Sequence, residues 1–307
     1  MKKQLLILIM AVLCVLPTAY AQKLTLATYN IRNENKGDVE KGNGWKQRCP
    51  VITQLIRFHD FDIFGSQEVL FGQLNDMLNQ LPGYGYVGVG RNDGANAGEF
   101  SPIFYKKEKF NLVQSGNFWL SEIQDKPNVG WDAALPRICS WGKFQVKESG
   151  KTFWFFNLHM DHVGVKARLE SSKLVIQKIK TMCAGEPAVL TGDFNVDQTS
   201  EGYQYLASSG ILTDSFQNAE IRYAPNGTFN AFDSNLQTDS RIDHIFVTKD
   251  FQVVRYGVLT DTYRSKVSTS SEEIKSGNFP KEVSLHQYEA RMPSDHFPVE
   301  VEVVLGK

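Results

Sequence analysis

Six polar clusters in this chain have side chains suited to holding a cation and moving protons. Near the C-terminal end, Ser294-Asp295-His296 pairs a histidine with an acid at the mouth of the apolar run Phe297-Pro298-Val299. Asn30 and Glu68 each follow an apolar, strand-like segment, and together they offer the sparse oxygen ligation that Mg²⁺ accepts. Gly192-Asp193-Phe194-Asn195 presents a carboxylate and an amide two positions apart. His159 ends Phe156-Asn157-Leu158, and Arg241-Ile242-Asp243-His244 adds a second acid beside a histidine. The chemistry these types can share is hydrolysis of a phosphate ester. That reaction needs charge neutralised on phosphoryl oxygens, an activated water and help for the leaving oxygen.

Each residue also has a plainer reading. Glu68 could be a surface carboxylate, but it comes directly after the buried-type run Phe61-Asp-Ile-Phe-Gly65. His296 is read as a general base, with Asp243 holding its tautomer. His159 is read as a donor to a phosphoryl or leaving oxygen, while His162 and His244 fit structural roles better. Strand alternation would point Asp193 and Asn195 to one face; an Asx turn is the competing reading. Arg137, between Trp131 and Trp141, is either a bidentate phosphate contact or a cation stacked on tryptophan. Arg168 is either a second substrate contact or part of a solvated helix face. Glu99 and Thr228-Phe229-Asn230 are candidates for the rim that the sequence does not decide.

The elements that must position these groups follow from periodicity. Alternation predicts strands over 24–31, 84–90, 101–105, 110–118, 138–146 and 152–158. Short apolar runs predict strands at 61–65, 187–191, 242–247, 251–259 and 297–305. Helical spacing predicts helices over 45–58, 71–81, 166–183 and 203–208. The polar stretch 265–293 reads as one long loop. Every chemical cluster falls where a strand ends, and strand ends that share a rim are where loops build sites.

Composition narrows the class. Lys2 and Lys3, the uncharged apolar stretch Leu5–Leu16 and Ala19-Tyr20-Ala21 read as an export leader cleaved after Ala21. The protein is therefore expected to be exported, periplasmic or extracellular, with residues 22–307 forming one domain. Losing the two lysines moves the net charge from −1 to −3. A duplex nucleic-acid binder usually carries a basic surface, so near-neutrality argues mildly against that partner. Cys49, Cys139 and Cys183 form neither a disulfide framework nor a zinc spacing. No later run is long and apolar enough for a membrane span, so no stable membrane insertion is expected.

Taken in order, Thr28-Tyr-Asn-Ile-Arg32, Gln67-Glu68, Asn157-Leu-His159, Gly192-Asp-Phe-Asn195, Arg241-Ile-Asp-His244 and Ser294-Asp-His296 resemble the endonuclease/exonuclease/phosphatase family. The resemblance spans nearly all of residues 22–307. It implies an α/β fold, a four-layer sandwich of two packed mixed sheets flanked by helices, and a Mg²⁺- or Mn²⁺-dependent phosphoesterase. It implies that Asn30 and Glu68 hold metal, with Asp295 assisting the metal or the dyad. Asp193 and Asn195 would position nucleophile and phosphate, His159 would contact phosphate, and Asp243 with His296 would form the acid–base dyad. Arg32 departs from the acid that apurinic-site nucleases tend to carry there, which points away from DNA repair. The expected partner is a phosphoester, met by a monomer. A nuclease-like diesterase is the first reading and a sphingomyelinase-like or inositol or sugar phosphoesterase the second. A non-catalytic binding module is the remote third, and it would require a broken metal or base position.

Overall fold

A computed structural model describes residues 22–266, 273–274 and 277–306; the expected leader, 1–21, lies outside the described residues. Two mixed sheets pack face to face. The first runs in the order β10 (Ile221–Tyr223), β12 (Phe251–Val258), β17 (Val299–Leu305), β1 (Gln22–Asn30), β2 (Ile63–Gln67), β4 (Ile103–Lys106), β3 (Tyr84–Val87). The second runs β5 (Phe110–Trp119), β6 (Ile138–Val146), β7 (Thr152–His159), β8 (Ala188–Asp193), β11 (Asp243–Val247), β9 (Thr213–Asp214). The strands alternate or are wholly apolar because both faces of the central ones are covered.

Three apolar clusters make the layers. Leu24, Leu26, Ile63 and Val301 from the first sheet meet Phe153, Phe155, Val189 and Ile245 from the second between the sheets. Outside the first sheet, α2 (Trp45–Phe58) buries Trp45, Cys49, Ile52 and Ile56 at helical spacing, joined by Leu74 and Met77 of α3 (Phe71–Gln80). Outside the second, α4 (Val165–Cys183) contributes Leu174, Val175 and Ile179, and α5 (Glu201–Ala207) adds Tyr203 and Leu206. This is the four-layer sandwich expected. Truncating a fully buried inter-sheet ring, as in Phe155→Ala, should cost about 3–5 kcal/mol. The three cysteines among the described residues, Cys49, Cys139 and Cys183, are buried and free.

Differences from the sequence reading lie where no period exists. Short helices α1 (Lys36–Glu40) and α6 (Ser215–Asn218), and strands β9 and β10, were not expected. The 265–293 stretch is not one loop. β13 (Tyr263–Lys266) pairs antiparallel with β16 (Tyr288–Arg291), and β14 (Glu273–Ile274) with β15 (Leu285–His286). Among the described residues no helix is long and apolar enough to cross a membrane.

Candidate active site

Strand register builds the site. β1 and β2 run parallel with Asn30 opposite Gln67, which sets Glu68 beside Asn30 at the same rim. In the second sheet His159 lies opposite Asp193, and Asp193 opposite Asp243, across three neighbouring strands. The loop before β17 brings in His296, bridged to Phe229. The Asn30 amide nitrogen is 3.1 Å from Glu68 Oε1, 3.0 Å from Asp193 Oδ2 and 3.5 Å from His296 Nε2. Residues 266 positions apart therefore meet around one amide.

The strand ends are conformationally special. Arg32, Glu68 and Asn195 adopt left-handed φ of 57°, 61° and 50°. Non-glycine residues there are uncommon, and such strain concentrates at functional sites. The turn at Asn195 corrects one expectation. Strand alternation stops at Asp193, whose Oδ1 accepts from Asn195 N at 2.9 Å, so an Asx turn brings both to the cavity. Asn195 Nδ2 donates to Met160 O at 3.0 Å.

Behind the rim the two sheets are tied by polar side chains. Gln67 donates to Asn157 Oδ1 at 2.7 Å, and Asn157 donates to Ser66 O and Pro102 O. A Cβ on Gly65 would collide with Asn157 and Thr191, so glycine is what admits this crossing.

These groups line a cavity of about 400 Å³ that Arg32, Arg91 and Arg137 also line. Arg137 is buried, with Nε on Asp161 at 3.1 Å and Nη2 on the His162 ring at 2.9 Å. Its Nη1 has no hydrogen-bond partner among the described residues. Arg91 pairs with Glu99 at 2.7 Å, and Asn33 bridges Glu68 and Glu99. Arg32, the departure noted in the sequence, pairs with Asp38 at 2.9 Å and lies 3.5 Å from Asp295 and 3.9 Å from Glu68.

Environment drives the two site histidines apart. Burial disfavours a charge on His296, but Asp243, Asp193 and Asp295 outweigh it and hold its pKa well above the ordinary value. Its Nδ1 donates to Asp243 Oδ2 at 2.9 Å, which turns Nε2 toward Asp193, 3.8 Å away. His159 is pushed well below the ordinary value, first by burial and then by Arg137 and Arg91. Burial and then the Asp243 carboxylate raise Asp193, and burial raises Asp295.

The donors fit a hard divalent cation. Glu68, His159 and Asp193 each place a ligand atom within 4.8 Å of the others. The amide of Asn30 lies within hydrogen-bond reach of two of them, Glu68 and Asp193. A cation would relieve the buried Asp193 carboxylate, which its surroundings hold toward the neutral form. Oxygen predominates in the set, which suits Mg²⁺ or Mn²⁺ over softer-ligand metals.

Asn30, Glu68, His159, Asp193, Asn195, Asp243, Asp295 and His296 thus meet, and Arg137 faces them. Arg137 is held by Asp161 and His162 and not by a tryptophan. Arg168 is not among the cavity-lining residues. Its Nη1 donates to Asp161 O at 3.1 Å, one residue before His162. His244 is structural as read, its Nε2 on Val196 O and its ring among Phe194, Tyr203 and Phe246. His162, read as structural, lines the cavity. Asn33 and Arg91 were missed. Arg91 sits in a Gly-rich turn without periodicity, and only the pairing with Glu99 eight residues on could have flagged it.

Fold and site together are those of a phosphoesterase. Residues 27–296 match the model of the Endonuclease/Exonuclease/phosphatase family, and the chain belongs to that family. A crystal structure of an endonuclease/exonuclease/phosphatase family protein from Bacteroides thetaiotaomicron is 55% identical, with a TM-score of 0.86, covering 94% of this chain and 99% of that one. A mannosyl-6-phosphatase of the same organism is 56% identical, with a TM-score of 0.85, covering 92% of this chain and 100% of its own. An uncharacterized protein of Acanthamoeba polyphaga mimivirus is 28% identical over 277 residues, 83% of this chain and 90% of that protein.

Proposed function

We propose that this protein is a Mg²⁺- or Mn²⁺-dependent phosphatase of sugar phosphate monoesters. The observation that carries the reading is buried Arg137, which lines the cavity with Arg91 and His162 and whose Nη1 has no hydrogen-bond partner among the described residues. A monoester's terminal phosphate is dianionic and unshielded by a second ester group, and guanidinium is the side chain suited to it. The 56% identity to a mannosyl-6-phosphatase supports the sugar. The near-neutral charge supports it over the nuclease-like diesterase first read from the sequence.

Asn30 and Glu68, with Asp295 near, would hold a cation that supplies Lewis-acid neutralisation of the phosphoryl charge. Arg137, neutral His159 and Asn195 bind and orient the phosphoryl oxygens. The carboxylates around His296 favour its charged form, so it serves better as a donor from Nε2 to a phosphoryl oxygen than as the general base. Asp193, raised toward protonation, is the better acceptor for the water proton. Water oxygen bonds to phosphorus, the bond to the sugar oxygen breaks, and that oxygen takes a proton from solvent at the mouth. Phe229, about two-fifths exposed beside the His296 ring, is the platform there.

The test is phosphate release from mannose 6-phosphate, compared with bis(p-nitrophenyl) phosphate and duplex DNA, before and after EDTA. Preferred, EDTA-sensitive hydrolysis of the sugar monoester is expected; faster cleavage of either diester would overturn the reading. We also propose export as a monomer, on the leader-like residues 1–21. Recovery of the protein only from the cytoplasm, or elution of the exported protein as an oligomer, would contradict it.

A further inference from the structure

We infer that Arg48 and Ser294 are positioning residues that take over where the ladder between β1 and β17 stops, fixing the cation-holding side of the site against His296. The β1–β17 register ends at Thr28 opposite Val299, two residues short of Asn30. Beyond it the chains part, because the last residues before β17 turn to another segment. Phe297 N donates to Thr228 O at 2.7 Å, and His296 bridges Phe229. Asn30 and His296 therefore sit on diverging segments whose separation the sheet register no longer sets.

Two side chains close that gap. Ser294 Oγ donates to Asn30 O at 2.7 Å. Arg48, on α2, is 0% exposed and spreads its fork over both segments. Nη1 donates to Ile31 O at 2.6 Å and to Pro293 O at 3.1 Å, Nη2 to Arg32 O at 3.1 Å, and Nε to Asn43 O at 2.7 Å. One guanidinium thus grips the two residues after Asn30 and the residue before Ser294. Its faces lie against the Trp45 and Phe232 rings, 5.5 and 5.4 Å to the centroids.

The residue type matters. Burying a cation is expensive, and these four acceptors are all backbone carbonyls with no carboxylate among them. An apolar side chain would fill the space at lower cost but leave those carbonyls unpaired. A planar fork with five donors can satisfy carbonyls from three separate chain segments at once, which lysine's single ammonium cannot. The arrangement is that of an outer shell, whose loss in metalloenzymes lowers metal affinity or turnover by about 10–100-fold.

The inference rests on the reading that Asn30 and Glu68 hold a divalent cation, and not on the identity of the sugar. Arg48→Lys keeps the charge and loses the fork; Ser294→Ala removes one hydroxyl at a site where the small change preserves packing. Mn²⁺ binding to each variant is followed by electron paramagnetic resonance, and kcat and KM are measured on p-nitrophenyl phosphate. The expected result is folded protein with Mn²⁺ binding weakened about tenfold or more, kcat lowered and KM within about twofold of wild type. Should Arg48→Lys fail to fold, Ser294→Ala decides by the same criteria. Mn²⁺ affinity and kcat both near wild type in the folded variants, whatever the melting temperature, would reduce both residues to ordinary core and overturn the inference. Wild-type protein that binds no Mn²⁺ would overturn it too. Weakened Mn²⁺ binding in the variants alongside a wild type inert toward sugar phosphates would reject the substrate reading alone.

Discussion

Of the three histidines that line the cavity, His159 at 6% exposure and His296 at 5% are equally buried, yet their surroundings favour the neutral ring in one and the cation in the other. Burial works against the charged form of both. Around His296, Asp243, Asp193 and Asp295 overcome it; around His159, Arg137 and Arg91 add to it. Depth therefore does not assign roles here; the sign of the neighbours does. Titratable pairs pushed apart in this way divide charge stabilisation from neutral hydrogen bonding within one site.

The division can be broken most severely at its centre. Glu68→Ala and His296→Ala should each lower kcat by about 10³-fold, as loss of transition-state charge stabilisation does. Steady-state kinetics check this, and a near-wild-type rate in either would remove the site as assigned. Asp243→Asn should come next, at roughly 10²-fold or more, because His296 loses both its orienting partner and its strongest source of positive bias.

Around His159 the effect should be smaller and of another kind. Arg137→Ala is expected to raise KM by about tenfold with a lesser change in kcat, as for binding shared by ground and transition states. Unchanged kinetics with a lower melting point would make Arg137 a scaffold for Asp161 and His162.

The smallest effect sharpens the comparison most. His296, raised, contributes stability that is fully present below the ordinary histidine value of about 6.5 and is lost as pH rises through its folded value. His159, lowered, must be neutral in the fold, so it penalises folding below about 6.5, and the penalty fades as pH rises from its folded value. Urea midpoints of metal-free protein, taken from about pH 5 to about pH 9, should show His159→Gln losing less stability toward acid than wild type. His296→Gln should lose less toward alkali. Parallel profiles for both variants would contradict different charge states.

How much of this was readable beforehand follows from periodicity. The helix over 45–58 and the strand ending at Asn30 match the structure because apolar spacing fixes the buried face. Eight of the named side chains were visible because strand ends hold chemically reactive types, and all eight line the cavity or touch a residue that does; Arg137 lines it too, whereas Arg168, on a helix, does not. The Asp193–Asn195 turn was misread because a left-handed φ at Asn195 leaves no mark in an alternating pattern. Arg91 and Asn33 were missed because ion pairs and bridges across loops carry no period. The pairings within 263–291 were missed because their strands are short, mostly polar and at most half-buried, so no apolar alternation marks them. Arg48 lay unremarked on an amphipathic helix, where a charged residue reads as solvent-facing.

The central claim is that two equally buried histidines differ in charge, His296 cationic and His159 neutral, and imidazole ¹⁵N NMR of the metal-free protein at neutral pH tests it most directly. The account predicts a His296 ring with both nitrogens protonated and a His159 ring with one, assigned through His159→Gln and His296→Gln. Two rings that titrate together near the ordinary histidine value would contradict it.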